Sequence, residues 1–153
     1  MYDVNKAVEY AKKYYKNYNP NYYNFAAIGG DCTNFVSQCI HAGGIDMNYY
    51  GWYYQGINNR APSWTGVDEF FDFATNNQGV GLKAKVVDIS QLMVGDVVQL
   101  GNGQRYFHTL LVTKIISNKG INNVFVAAHD RDAFDRALNS YIFRTIRCLH
   151  IYD

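Results

Sequence analysis

An α+β domain is predicted, with its helices packed on one side of an antiparallel sheet. Three observations predict it. Apolar residues recur at helical spacing through the first half of the chain. Short apolar runs separated by glycine turns fill the second half. No repeat, low-complexity segment or linker interrupts the 153 residues, so 1–153 reads as a single domain with enough chain to bury a core.

The first helix is expected from Asp3 to about Tyr18, where Val4, Ala7, Val8, Ala11, Tyr15 and Tyr18 share a face. Asn19-Pro20 ends it. A loop over 21–30 leads to a second helix that starts at Cys32 and stops near Gly43-Gly44. Residues 45–62 are aromatic and irregular, with Tyr49, Tyr50, Trp52, Tyr53 and Tyr54. Ser63 is placed to cap a third helix from Trp64 to about Thr75, burying Trp64, Val67, Phe70, Phe71 and Ala74. Strands are expected at Val86-Val87, Val97–Leu100, Tyr106–Ile116, Val124–Ala128 and Tyr141–Ile151. Gly101-Asn102-Gly103 and Asn118-Lys119-Gly120 are turn signals between them.

Composition excludes several classes. Hydrophobic residues make up 48% and charged residues 18%, which argues against disorder. The net charge of +1 is spread along the chain and gives no clustered basic face for nucleic acid. No apolar run reaches the length of a membrane span. Met1 to Glu9 reads as the start of an amphipathic helix rather than a signal peptide. Cys32 and Cys39, on one helix, lie about 10.5 Å apart along its axis, too far for a disulfide. Cysteine and histidine spacing suggests no metal site, and no cofactor is expected.

Chemistry concentrates at Gly29-Gly30-Asp31-Cys32-Thr33-Asn34-Phe35-Val36-Ser37-Gln38-Cys39-Ile40. Residues 32, 35, 36, 39 and 40 fall on one helical stripe, with Cys32 in the first turn. Unpaired N–H groups at a helix start favour a thiolate, so Cys32 is the expected nucleophile with a depressed pKa. Cys39, on the same stripe, reads as core. A cysteine nucleophile needs a base and the base an orienting group. His108 begins a strand directly after a turn and fits the base. The next strand ends at Ala128-His129-Asp130. A two-residue loop at Asn118-Lys119 would set His129 opposite His108, and a three-residue loop ending at Gly120 would set Asp130 there. Spacing leaves both open.

The segment Gly-Asp-Cys-Thr-Asn-Phe-Val-Ser-Gln resembles the nucleophile motif of the bacterial putative amidase domain family. Those domains are papain-like cysteine hydrolases related to NlpC-type cell-wall peptidases and CHAP amidases. Ala61-Pro62-Ser63-Trp64, Val94-Gly95-Asp96-Val97-Val98 and the pair Phe107-His108 and Ala128-His129 follow in the same order. The resemblance spans about residues 3 to 140, judged as motif matches. It implies a papain-like fold, Cys32 as nucleophile, His108 as base and, by likeness to the related peptidases, His129 rather than Asp130 as third residue. Tyr106-Phe107 departs from the family, where many members carry tryptophan or a polar residue.

The reading is a cysteine-dependent amidase or peptidase. The Cys32 N–H would hold the oxyanion, helped by Asp31 or Asn34, with plain N-capping the competing role for Asp31. Trp52 and Trp64 could line a substrate groove, although aromatics also bury large areas in small cores. The substrate would be a peptide or amide of the bacterial envelope, such as a peptidoglycan fragment. A catalytically silent binding domain, or an acyltransferase using the same thioester chemistry, would leave the same residues in place.

Overall fold

Alternation along the central strands sorts the buried apolar residues into two sets. Val97, Leu111, Ala127 and Leu149 join one core; Val98, Leu110, Val126 and Cys148 join another. Between them runs a sheet buried on both faces. The computed structural model describes residues 1–116 and 120–153.

The helices are α1 (Val4–Tyr14), α2 (Cys32–Ala42), α3 (Pro62–Thr65) and α4 (Val67–Asn76). The strands are β1 (Tyr54–Gly56), β2 (Asn59–Arg60), β3 (Lys83–Val87), β4 (Val97–Gly101), β5 (Tyr106–Ile115), β6 (Val124–Ala128), β7 (Ala133–Ala137) and β8 (Thr145–Tyr152). β1 and β2 form a small hairpin; the other strands form one antiparallel sheet in the order β3-β8-β4-β5-β6-β7. The fold is α+β, with the N-terminal helices packed against this sheet, as predicted.

α2 lies against β5 and is buried throughout Cys32–Ile40. A helix buried all round must satisfy its polar side as well as its apolar one. Ser37 donates to the Trp64 carbonyl and accepts from Trp52 Nε1, while Gln38 accepts from the Tyr10 hydroxyl. Thr33 Oγ1 lies 2.8 Å from Thr109 Oγ1, which takes a bond from Gln99 Nε2. The opposite core is closed by loop residues, among them Leu92, Leu138 and Tyr141.

Several boundaries differ from expectation. α1 stops at Tyr14, because the Tyr14 carbonyl that the next turn would use accepts a bond from His129 Nε2. The third helix is two helices: Pro62 starts α3 behind Ala61, and Gly66 at ψ 138° separates it from α4. Ser63 donates instead to the Gly51 carbonyl. β7 was not expected; it has no clean alternation and contains Asp135 at φ 54°. The last strand begins at Thr145 rather than Tyr141. Of the expected Asn118-Lys119-Gly120 turn, Asn118 and Lys119 lie outside the described residues.

The Gly95-Asp96 pair leads into β4 for a structural reason. Gly95 has φ +92°, and a Cβ there would meet Val4 at 2.5 Å. Asp96 accepts bonds from the Met93 and Ile151 N–H groups, pinning β8 beside the start of β4.

Candidate active site

Asp31 holds the N-cap position of α2 without capping it. Its Oδ1 accepts from Phe25 N and Asn34 Nδ2, and its Oδ2 from His129 Nδ1 at 2.6 Å. Asp3, by contrast, caps α1 through the Asn5 and Lys6 N–H groups. The expected capping role of Asp31 gives way because a buried imidazole offers a stronger bond than a backbone N–H. The first turn of α2 is left with no side-chain acceptor for its N–H groups.

Asn34 is equally committed. Its Nδ2 donates to the Tyr23 carbonyl and to Asp31, and its Oδ1 accepts from Trp64 Nε1 at 2.9 Å. An amide has only two N–H groups. Neither Asn34 nor the acceptor-only Asp31 carboxylate has a donor left for an oxyanion, so their part is to hold the helix start.

The Cys32 side chain is 8% exposed. Its sulfur lies 3.8 Å from Thr33 Oγ1. Burial pushes the thiol above its ordinary value; the Thr109 and Thr33 hydrogen bonds oppose this, and the Asp130 charge adds to it. The expected depressed pKa is therefore corrected. Loss of water around the sulfur outweighs the helix start.

His108 lies on β5 opposite Leu100, on the same face as Leu110. Its ring centroid is 5.8 Å from that of Tyr141. Burial, then the Arg136 charge, lowers its pKa to about 4, so the ring is a neutral imidazole at neutral pH. It borders a cavity of about 480 Å³ lined also by Phe107, Asp130, Arg131, Arg136 and Tyr141.

Thr33, the neighbour of Cys32, meets Thr109 of β5 through their hydroxyls. His108, one residue earlier, rises from the face. Among the described residues the sulfur and the ring share no hydrogen bond.

Asp130, not His129, lines a cavity together with His108. Near the turn, Ile115 pairs with Val124; past a bulge at Thr113, Leu111 pairs with Ala127. Pairing stops there: β6 ends at Ala128, and the chain turns through Asp130 at φ 49°. The Asp130 carboxylate accepts the Asp31 N–H at 2.9 and 3.1 Å. Gly30 makes room for it, since a Cβ there would lie 2.6 Å from Asp130 Oδ2.

His129 turns the other way. Nδ1 bonds Asp31, Nε2 bonds the Tyr14 carbonyl at 2.9 Å, and the ring is stacked between Tyr18 and Phe35 at 3.7 and 3.8 Å. Both nitrogens are used, neither on His108, and the residue is 1% exposed. It ties the end of β6 to α1 and α2. Trp52 and Trp64 are each 0% exposed and cannot line a groove. Their rings pack at 4.6 Å, tilted by 37°, and Tyr49 and Tyr50 are the exposed aromatics of that region.

Two contributors escaped the sequence reading. Thr109 was passed over because a strand threonine carries no signal of its own, and Arg136 because it lies in the unexpected strand β7. The family described as "Putative amidase domain" matches residues 1–152.

The chain belongs to this family.

A similar protein in Bacillus subtilis (strain 168), the uncharacterized protein YhbB, is 37% identical over 129 residues, covering 78% of this chain. The chain spans only 39% of that relative's length. No solved structure matches it significantly. In this amidase-domain chain, the polar residues of the Asp-Cys-Thr-Asn-Phe-Val-Ser-Gln segment are hydrogen-bonded within the fold, with Thr33, Asn34, Ser37 and Gln38 all buried. Among the described residues no helix is long and apolar enough to cross a membrane.

Proposed function

We propose that the chain is a cysteine-dependent hydrolase of amide bonds, with Cys32 as nucleophile and His108 as base. The observation that carries this reading is the start of α2. Its N-cap carboxylate is drawn away to His129 and leaves the first turn uncapped, and its first residue is a cysteine. Family membership supports the same chemistry.

A neutral imidazole and a neutral thiol suit general-base catalysis rather than a resting ion pair. His108 takes the Cys32 proton as the sulfur attacks the substrate carbonyl. The carbonyl oxygen becomes an oxyanion against the Cys32 N–H and the uncapped first turn. The imidazolium then protonates the leaving amine, the C–N bond breaks, and a thioester remains on Cys32. Water, deprotonated by His108, attacks the thioester and releases the acid. Asp130 serves this cycle better than His129. It shares the cavity with His108, and a carboxylate there favours the imidazolium.

Bacterial envelope peptides are the substrate class to test. A panel of peptidoglycan fragments is incubated with the protein, products are identified by mass, and acyl adducts on Cys32 are sought by intact mass. Cys32→Ala should abolish cleavage, and His108→Ala should lower it by about 10²–10⁴-fold. Cleavage that survives Cys32→Ala overturns the reading.

A further inference from the structure

We infer that the cavity beside His108 recognises a carboxylate on the substrate, with Arg136 as the principal contact and Arg131 as the second. The inference rests on the hydrolase reading for its biological meaning, but the binding event it describes does not need turnover.

Arg136 is held in place. Its Nε donates to Ser140 Oγ at 2.8 Å, its Nη2 reaches the Ser140 carbonyl at 3.3 Å, and its guanidinium lies 3.8 Å over the Tyr141 ring. These contacts fix the plane of the group and leave its charge uncompensated. Acidic residues are close in sequence, and Asp130 lines the same cavity, yet among the described residues none pairs with Arg136. Asp130 accepts the Asp31 N–H, Asp132 the Tyr18 hydroxyl and Asp135 the Thr113 hydroxyl. Among the described residues neither Arg131 nor Arg136 forms an ion pair, although both line the cavity.

A fixed, unpaired guanidinium at a cavity wall is suited to a planar anion, which it can bind through two parallel N–H bonds. Phe107, Tyr141 and Ile142 supply apolar walls for the body of the molecule that carries it. The cavity, at about 480 Å³, is wide enough for a short peptide end or an acidic side chain. Carboxylate recognition here would hold an amide with an acidic group close by at His108.

The bound anion also has an effect on His108. The charged and titratable groups around that ring are Arg136, Arg131, Asp130 and Tyr141. Arg136 is the one that lowers its proton affinity by charge. A carboxylate seated on Arg136 would offset this and make His108 easier to protonate, as the acid step with the leaving amine requires.

The test uses the full chain and three probes: N-acetylalanine, its primary amide, and inorganic phosphate. Binding is followed by NMR titration with the His108 ring signal as reporter. The free acid should bind about tenfold or more tightly than the amide, a difference of about 1.4 kcal/mol. It should also move the His108 titration upward, which the amide should not do. Arg136→Gln should erase the preference without weakening amide binding. Arg136→Lys, which keeps the charge but not the fork, should retain part of it. Thermal melting of both variants checks that they fold. Equal binding of acid and amide, a preference that survives Arg136→Gln, or phosphate displacing the acid at lower concentration would each overturn the carboxylate assignment. If cleavage persists in Cys32→Ala while the acid preference holds, the hydrolase reading fails and the anion site stands.

Discussion

Cys32 shows how one residue can satisfy opposing demands. Its place at the head of α2 favours a thiolate, and its burial opposes one; burial has the larger effect. The thiol therefore has to be deprotonated as it reacts. Iodoacetamide mapping should find Cys32 labelled first among the three cysteines. Cys39 is 0% exposed, and burial pushes the Cys148 thiol up to about 11. The Cys32 rate should rise about tenfold per pH unit past the ordinary thiol pKa of about 8.5. A rate that levels off near neutrality would show a thiolate already formed and contradict the burial argument.

Among the elements, the start of α2, the end of α1 and the end of β6 meet at His129. The imidazole joins Asp31 to the Tyr14 carbonyl inside an aromatic sandwich of Tyr18 and Phe35. A group bonded through both nitrogens in a dry site is hard to replace. His129→Ala should cost about 3–5 kcal/mol of stability, the range for breaking a buried pair. Asp31→Asn should cost less, because an amide oxygen can still accept from the ring. Urea titrations of both variants, read beside their turnover, separate this tie from a chemical role. If His129→Ala leaves stability unchanged and removes activity alone, His129 belongs to the reaction after all.

At the scale of the whole molecule, stability should depend on pH through His108. Its pKa of about 4 in the fold lies below the unfolded value of about 6.5. Between these values the unfolded chain binds more protons, so stability rises with pH. The contribution is complete above the unfolded value and is lost as pH falls toward 4, by at most about 1.4 kcal/mol per pH unit. Asp96 and Asp130, raised chiefly by burial, act in the opposite sense at the acid end. Comparing the native chain with His108→Gln isolates the histidine. The midpoint of urea unfolding should fall from pH 7 to pH 5 in the native chain and fall less in the variant. Parallel profiles would show that the His108 environment is not as dry as the fold implies.

Local pattern by itself determined that helices come first and strands second, and that α2 starts at Cys32, because periodicity is written directly in neighbouring residues. It also brought Cys32, His108 and the 129–130 pair forward, since nucleophile and base chemistry limits the residue types that can serve. What it left open was which face each of them would take. The extra residue at Thr113 set the β5–β6 register, and that bulge depends on the sheet, not on the hairpin sequence. The length of α1 was decided by a histidine 115 residues away that bonds the Tyr14 carbonyl. The tryptophans, which as sequence could have lined a groove, went to the core once α2 needed partners for Ser37 and Asn34. Each of these outcomes rests on contacts between residues far apart in the chain. Such contacts exist only after the layers have packed, and that is why only the tertiary structure could decide them.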